Sequence, residues 1–116
     1  MSIPSEIAAL VERFNQELNE IERSASLGLD LARVILERFP NNFTVIQLFA
    51  FLNTAMFFVD TSRRRIQTIV EHLSSTDANT ESEIQEAGED LATDLGQSLE
   101  IKIRISQVKT RLENLQ

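Results

Sequence analysis

The stretch RFPNNFTV, residues 38–45, divides a long helical pattern into two. Proline disfavours the helical conformation of the residue before it, so the first helix should end near Phe39. Asn42 is a favourable N-cap for a helix that begins at Phe43. The polar run SSTDANT, residues 74–80, separates two further helical segments, and Thr80 followed by Glu83 is typical of a capping box. The sequence therefore predicts helices over about residues 5–39, 43–73 and 81–115, with loops at 40–42 and 74–80.

The composition favours one all-α domain over residues 1–116. The chain has 42% hydrophobic residues, enough to form a core, but only three glycines and two prolines. Turns between strands need those residue types, so their scarcity indicates long uninterrupted helices. A chain of this length is one domain by size.

The apolar residues of all three segments recur at alternating steps of four and three, as in the seam of a coiled coil, with one shift of register in the third segment between Leu95 and Ile101. Short connections between such helices make neighbours antiparallel, which predicts an elongated up-down-up bundle of three helices. Two details stay open: a break between Ser24 and Gly28, and a strand-like alternation at residues 100–106. The predicted inner positions are Ile7, Val11, Phe14, Leu18, Ile21, Ala25, Gly28, Ala32, Ile35 and Phe39; Val45, Leu48, Leu52, Ala55, Val59, Ser62, Ile66, Ile69 and Leu73; and Ile84, Gly88, Leu91, Leu95, Ile101, Ile105, Val108, Leu112 and Leu115.

The most apolar stretch, residues 43–59, is followed by three consecutive arginines at 63–65. We expect no membrane insertion, because this stretch is shorter than the ~20 residues of a spanning helix and contains Gln47 and Asn53. We expect no direct contact with nucleic acid either. The chain carries a net charge of −7, and consecutive arginines project about 100° apart around a helix.

Instead, the arginines should pair with carboxylates on the two neighbouring helices. If the loops turn near residues 41 and 77, residue 64 lies level with residues 18 and 90. A salt-bridge belt is predicted that also includes Glu17 and Glu20 of the first helix; its main members are Arg63, Arg64, Arg65, Glu86, Glu89 and Asp90. The same level-matching places the Phe57 ring opposite Ala25 and Gly28, and the Phe58 ring near Gly96.

A second apolar stripe runs along the middle helix, opposite its inner positions. Two neighbouring helices cannot cover a helix that is apolar nearly all round, and an exposed apolar patch marks an interface. We therefore expect a homodimer in which a polar residue such as Asn53 fixes the register. The predicted interface residues are Phe43, Ile46, Ala50, Asn53 and Phe57.

The sequence predicts no catalytic residue, no cofactor and no metal site. Cysteine is absent, which excludes thiolate chemistry. Ile69, and not a glutamate, lies three residues before His72, the only histidine, so there is no Glu-x-x-His metal motif. Glu83, Asp90 and Asp94 lie on neighbouring turns, but they lack the glycine-containing loop of a calcium site. They are better read as a solvated acidic face that could bind a partner.

These patterns suggest a non-enzymatic, cytoplasmic interaction or regulatory module that self-associates through the second helix. The N-terminus lacks the basic and apolar regions of a signal peptide, which is why we expect a cytoplasmic location. The alternative is an acidic regulator, antitoxin-like or anti-regulator in type, that masks the basic nucleic-acid-binding surface of a partner protein. An enzyme whose carboxylates bind a metal is a third hypothesis.

Overall fold

The computed structural model describes residues 3–75 and 80–115, and these residues form three long helices without a strand. Helix α1 is Ser5–Arg38, α2 is Phe43–Ser75 and α3 is Glu81–Asn114. Each boundary lies within two residues of its prediction. Helix α1 is continuous through residues 24–28, and residues 100–106 are helical. The predicted all-α bundle of three helices is confirmed.

The helix ends form for the reasons that the sequence indicates. The side chain of Asn42 accepts a hydrogen bond from the backbone N–H of Val45 at 3.2 Å, and the Thr80 hydroxyl accepts one from the N–H of Glu83 at 3.1 Å. Both side chains satisfy backbone donors that a helix start leaves without partners. At the end of α1, the backbone leaves the helical conformation at Phe39, directly before Pro40. The second predicted loop falls partly on residues 76–79, which lie outside the described residues.

Helix α1 lies at the centre of the molecule and packs along both other helices, whereas α2 and α3 contact each other far less. The Cα atoms occupy a rod of 59 × 19 × 17 Å. Helix α2 is antiparallel to α1, since Leu52 packs against Gly28 while Arg63 reaches Glu22. Helix α3 is parallel to α1, since Gly88 lies beside Ile7 and Lys102 lies beside Glu17.

The core follows the predicted seam in all three helices. Phe39 and Leu115 are the exceptions, because both lie at the last turn of a helix and are exposed. Six further predicted positions are only partly covered: Val11, Ile69, Ile84, Gly88, Ile101 and Val108. The buried apolar residues are Ile7, Phe14, Leu18, Ile21, Ala25, Leu29, Ala32, Ile35, Val45, Leu48, Leu52, Ala55, Val59, Ile66, Leu73, Leu91, Leu95, Ile105 and Leu112.

Two of the predicted ring pairings are wrong. Leu52, and not Phe57, covers Gly28: a Cβ atom added at Gly28 would lie 2.9 Å from Cδ1 of Leu52. Phe57 is 68% exposed. Phe58 is partly buried against the core, but Gly96 is exposed and a Cβ atom there would have no neighbour within 4 Å. The reason is angular, because Phe57 lies on the side of α2 opposite the seam residue Leu48.

Candidate interaction surfaces

The outer stripe of α2 consists of Phe43, Ile46, Ala50, Asn53 and Phe57, and the structure places all five at the surface. Phe43 is 69% exposed and Phe57 is 68% exposed. Residues three, four and seven apart lie on one side of a helix, so the five side chains form one continuous band. Neither α1 nor α3 covers this band. Its pairing with a second copy stays a prediction.

The other phenylalanines of α2 differ from those of the outer stripe because they have partners. The guanidinium of Arg104 on α3 lies 4.6 Å from the ring centre of Phe51, and that of Arg33 on α1 lies 5.9 Å from the ring centre of Phe49. An arginine over a ring face stabilises and shields it. The large open aromatic surface of α2 is therefore concentrated at Phe43 and Phe57.

The outer stripe also lies in a long stretch without charge. No Asp, Glu, Lys or Arg occurs from residue 39 to residue 59. By length and composition alone, α2 is the one helix of the described chain that could cross a membrane. Only 28% of its most apolar 18-residue window is buried. A coiled-coil seam buries two residues in every seven, which is about the same share. Much of the surface of the other apolar residues in this window is therefore exposed.

The predicted salt-bridge belt forms with different carboxylates. The guanidinium of Arg63 donates two hydrogen bonds to Glu22, at 2.8 and 3.1 Å, and one to Asn19 at 2.8 Å. Arg65 pairs with Asp94 at 3.1 Å. Arg64 is exposed and forms no ion pair within the described residues, although it lines a shallow groove together with Asp90 of α3.

Glu86, Glu89 and Asp90 therefore do not join the arginines in the described part of the chain. Glu89 instead accepts a hydrogen bond from the side-chain amide of Gln85, at 3.2 Å on its own helix. The separation between α2 and α3 explains the difference, since only Arg65 reaches a carboxylate of α3. This part of the predicted belt is wrong.

Glu17 and Glu20 pair with Lys102 rather than with the arginines. The Lys102 ammonium lies 2.8 Å from Oε1 of Glu17 and also contacts Glu20. These hydrogen bonds raise the pKa of Lys102 and lower the pKa of Glu20. In the same way, the hydrogen bond between Arg63 and Glu22 raises the pKa of Arg63 and lowers that of Glu22. One ion-pair cluster thus joins α1 to α3 and another joins α1 to α2.

No specific role could be predicted for Lys102, because a cation near the C-terminal end of a helix is expected from the helix dipole alone. Its nearness to Glu17 follows from the parallel arrangement of α1 and α3. The position of Glu17, one residue before the seam residue Leu18, is the sequence signal that could have indicated a buried carboxylate. Its side chain is only 12% exposed, which is unusual for a carboxylate and requires a cation.

A second surface feature is the acidic groove between the last turns of α2 and the first turns of α3. Its volume is about 350 Å³, and apolar residues including Ile69 and Ala87 line it beside three carboxylates. These carboxylates belong to Glu83, Glu86 and Asp90, and none forms an ion pair within the described residues. Asp94 was predicted to belong to the same acidic face. The structure instead buries it against Arg65, so Asp94 is not available to a partner.

The described residues hold no group of three or more His, Cys, Asp or Glu side chains that could bind a metal ion. His72 is exposed near the C-terminal end of α2. Glu83, Glu86 and Asp90 line the acidic groove, but within the described residues they do not form a group that could hold a metal ion.

Comparisons with protein-family models, with curated proteins and with solved structures found no match to this chain.

Proposed function

We propose that this protein is a non-enzymatic helical interaction module that self-associates through the outer stripe of α2. The observation that carries the proposal is the pair of open rings, Phe43 and Phe57, on an uncharged band of an otherwise acidic molecule. A soluble helix normally turns its large apolar residues to the core and leaves only single ones at the surface. A continuous band of them is typical of an interface.

The absence of charge on the stripe favours a second copy as the partner. Two chains that each carry a net charge of −7 repel one another over most of their surfaces. The outer stripe is a place where two copies can meet without bringing like charges together. It is also too neutral to select a strongly basic or a strongly acidic partner.

The size of the stripe indicates moderate affinity. From residue 43 to residue 57 it is about 21 Å long and one helix wide. A standard stable interface buries about 800 Å² on each partner, and association itself costs several kcal/mol. The two rings can bury about 150–250 Å² each, so they would supply much of the contact. We therefore expect a dissociation constant in the micromolar range.

Sedimentation velocity over a range of protein concentrations tests the proposal. The wild-type protein should be dimeric at tens of micromolar and dissociate on dilution. Phe57→Asp should be monomeric with an unchanged circular-dichroism spectrum, because the ring is exposed and its replacement opens no cavity. Ser106→Asp, at an exposed site on α3, introduces the same charge away from the stripe and should leave the dimer intact.

Two results would contradict self-association. One is a wild-type protein that remains monomeric at tens of micromolar. The other is a monomer that floats with neutral phosphatidylcholine vesicles in a density gradient and loses this property on Phe57→Asp. In the second case the stripe would be a membrane-contact surface instead.

The acidic groove favours a second candidate function, the acidic regulator that covers a basic surface of a partner protein. Its three carboxylates form no ion pair with a lysine or arginine within the described residues, so the cations of a basic helix could pair with them. Titration calorimetry with an arginine-rich amphipathic helical peptide tests this. Binding should weaken as salt is raised and should be lost in the triple variant Glu83→Gln, Glu86→Gln, Asp90→Asn. Equal binding by the triple variant would contradict it.

A further inference from the structure

We infer that the two copies pair antiparallel through α2, with the two-fold axis of the dimer passing beside Ala50. This inference rests on the proposed self-association and adds the arrangement of the two subunits. It follows from the order of residues along the outer stripe and from the charges that continue the stripe beyond Phe57.

The outer stripe is symmetric about Ala50 in the positions of its two open rings. Phe43 and Phe57 each lie seven residues from Ala50, which is about 10 Å along the helix in either direction. When two helices cross a two-fold axis beside residue 50, residue 43 of one lies level with residue 57 of the other. Each open ring therefore meets the corresponding open ring of the partner subunit, at both ends of the contact.

The residue at the centre of the stripe is small. Ala50 is exposed and carries only a methyl group, so nothing on the stripe keeps two helices apart at that level. Helices pack closest, at about 8 Å between axes, where small residues meet. The rings above and below would then close over the contact and exclude water from it, as large residues do beside small ones in a packed core.

The charges that follow the stripe along α2 decide the relative orientation of the two helices. Beyond Phe57, the same side of α2 continues with Asp60 and Arg64, and neither forms an ion pair within the described residues. A parallel pair in register would place each of these charges against its own copy, which is unfavourable.

In the antiparallel pair, residue 60 lies level with residue 40 of the other subunit, beyond the start of its α2 at Phe43. The charged half of each α2 then extends past the contact and stays in solvent. Opposed helix dipoles also favour this orientation by a small amount. Both orientations bury the same rings, so charge is what separates them.

Spin-label distances test the arrangement without replacing any of the five stripe residues, because the chain contains no cysteine and accepts single labels. A label at Thr68→Cys, an exposed site in the second half of α2, should lie about 54 Å from its copy, since each residue of offset from the axis adds ~3 Å. A label at Thr54→Cys should lie within about 20 Å of its copy. Two labelled sites fix both the orientation and the position of the axis.

Sedimentation of each labelled protein shows first whether the dimer is present. A dimer with a distance of about 10–20 Å at Thr68→Cys would be parallel and would overturn the inference while the proposed function stands. In an antiparallel dimer, a distance at Thr68→Cys that departs from about 54 Å by more than ~6 Å would place the axis more than two residues from Ala50 and overturn the inference as well. A wild-type monomer would overturn the proposed function and this inference together.

Discussion

At the scale of single residues, Phe57 and Phe58 show how one step along α2 changes the environment of a side chain. A step of one residue turns the side chain by about 100°. Phe58 packs partly against the core, whereas Phe57 is 68% exposed. The same step distinguishes Arg63, which faces α1, from Arg64, which faces solvent. Adjacent residues of one chemical type therefore have different roles.

Phe57→Ala should change the stability of the monomer by less than ~1 kcal/mol, because the ring loses few contacts. Phe14→Ala, at a ring that is 1% exposed, should cost ~3–5 kcal/mol through the cavity that it leaves. Urea unfolding at submicromolar protein, below the expected dissociation constant of the dimer, measures both. Equal losses for the two variants would mean that Phe57 is buried in solution.

Much of the core could be predicted at this scale, because heptad spacing identifies which side of each helix is buried. The partners of long charged side chains could not. A shift of one turn in the alignment of two helices leaves the same side of each helix buried. The same shift changes which carboxylates an arginine can reach. Arg63 was assigned to the right neighbourhood and to the wrong partner, and Lys102 was assigned no partner.

At the scale of the helices, α1 is held to both neighbours by ion pairs at the flanks of its core. Glu22 joins it to α2 through Arg63, and Glu17 and Glu20 join it to α3 through Lys102. Exposed pairs contribute ~0–1 kcal/mol each. The pair of Glu17 and Lys102 differs from such pairs, because the carboxylate is largely buried while the ammonium is half exposed, so removing the cation would leave a buried charge without a partner.

Lys102→Met should lower the free energy of unfolding by about 1–2 kcal/mol, since it leaves the buried Glu17 carboxylate without a cation. The double variant Glu17→Met, Lys102→Met should recover much of this loss, because it removes the buried charge as well. Denaturant unfolding measures both. Arg111→Met, at an exposed cation that forms no ion pair within the described residues, is the control. A double variant less stable than Lys102→Met would contradict this account.

Acid should weaken these links between helices. The folded protein holds the pKa of Glu20 and Glu22 below 4.5, mainly through hydrogen bonds from Lys102 and Arg63. Their contribution is therefore complete above pH 4.5 and is lost as the pH falls through the lowered values. The free energy of unfolding should decrease over this range, and Glu22→Gln should make the decrease smaller. Wild type and Glu22→Gln with the same dependence on pH would show that Glu22 does not take part.

At the scale of the whole molecule, the number, limits and order of the helices were predictable, because caps and prolines are local signals. The unequal packing was not. A heptad pattern shows that a face is buried, but it does not show how that face is shared between two neighbours. The central position of α1, and the separation of α2 from α3, depend on all three helices together.

Salt should affect the two candidate surfaces in opposite directions. Added salt screens the repulsion between two chains of charge −7, so self-association through the uncharged stripe should strengthen modestly. Binding of a basic peptide in the acidic groove should weaken over the same range. Sedimentation and calorimetry from 50 to about 500 mM sodium chloride measure the two trends. Weaker self-association at high salt would mean that charged groups hold the dimer.

The parallel arrangement of α1 and α3 has a mechanical consequence. The first described residues lie at one end of the rod and the last lie at the other, because an odd number of antiparallel helices never returns the chain to its starting end. A force that pulls residue 3 away from residue 115 would slide α1 and α3 along each other, and their contacts would share the load along the interface. Stretched in this way, the domain would bear the force in shear, with many contacts loaded at once. A hairpin pulled open at one end instead loses its contacts one at a time.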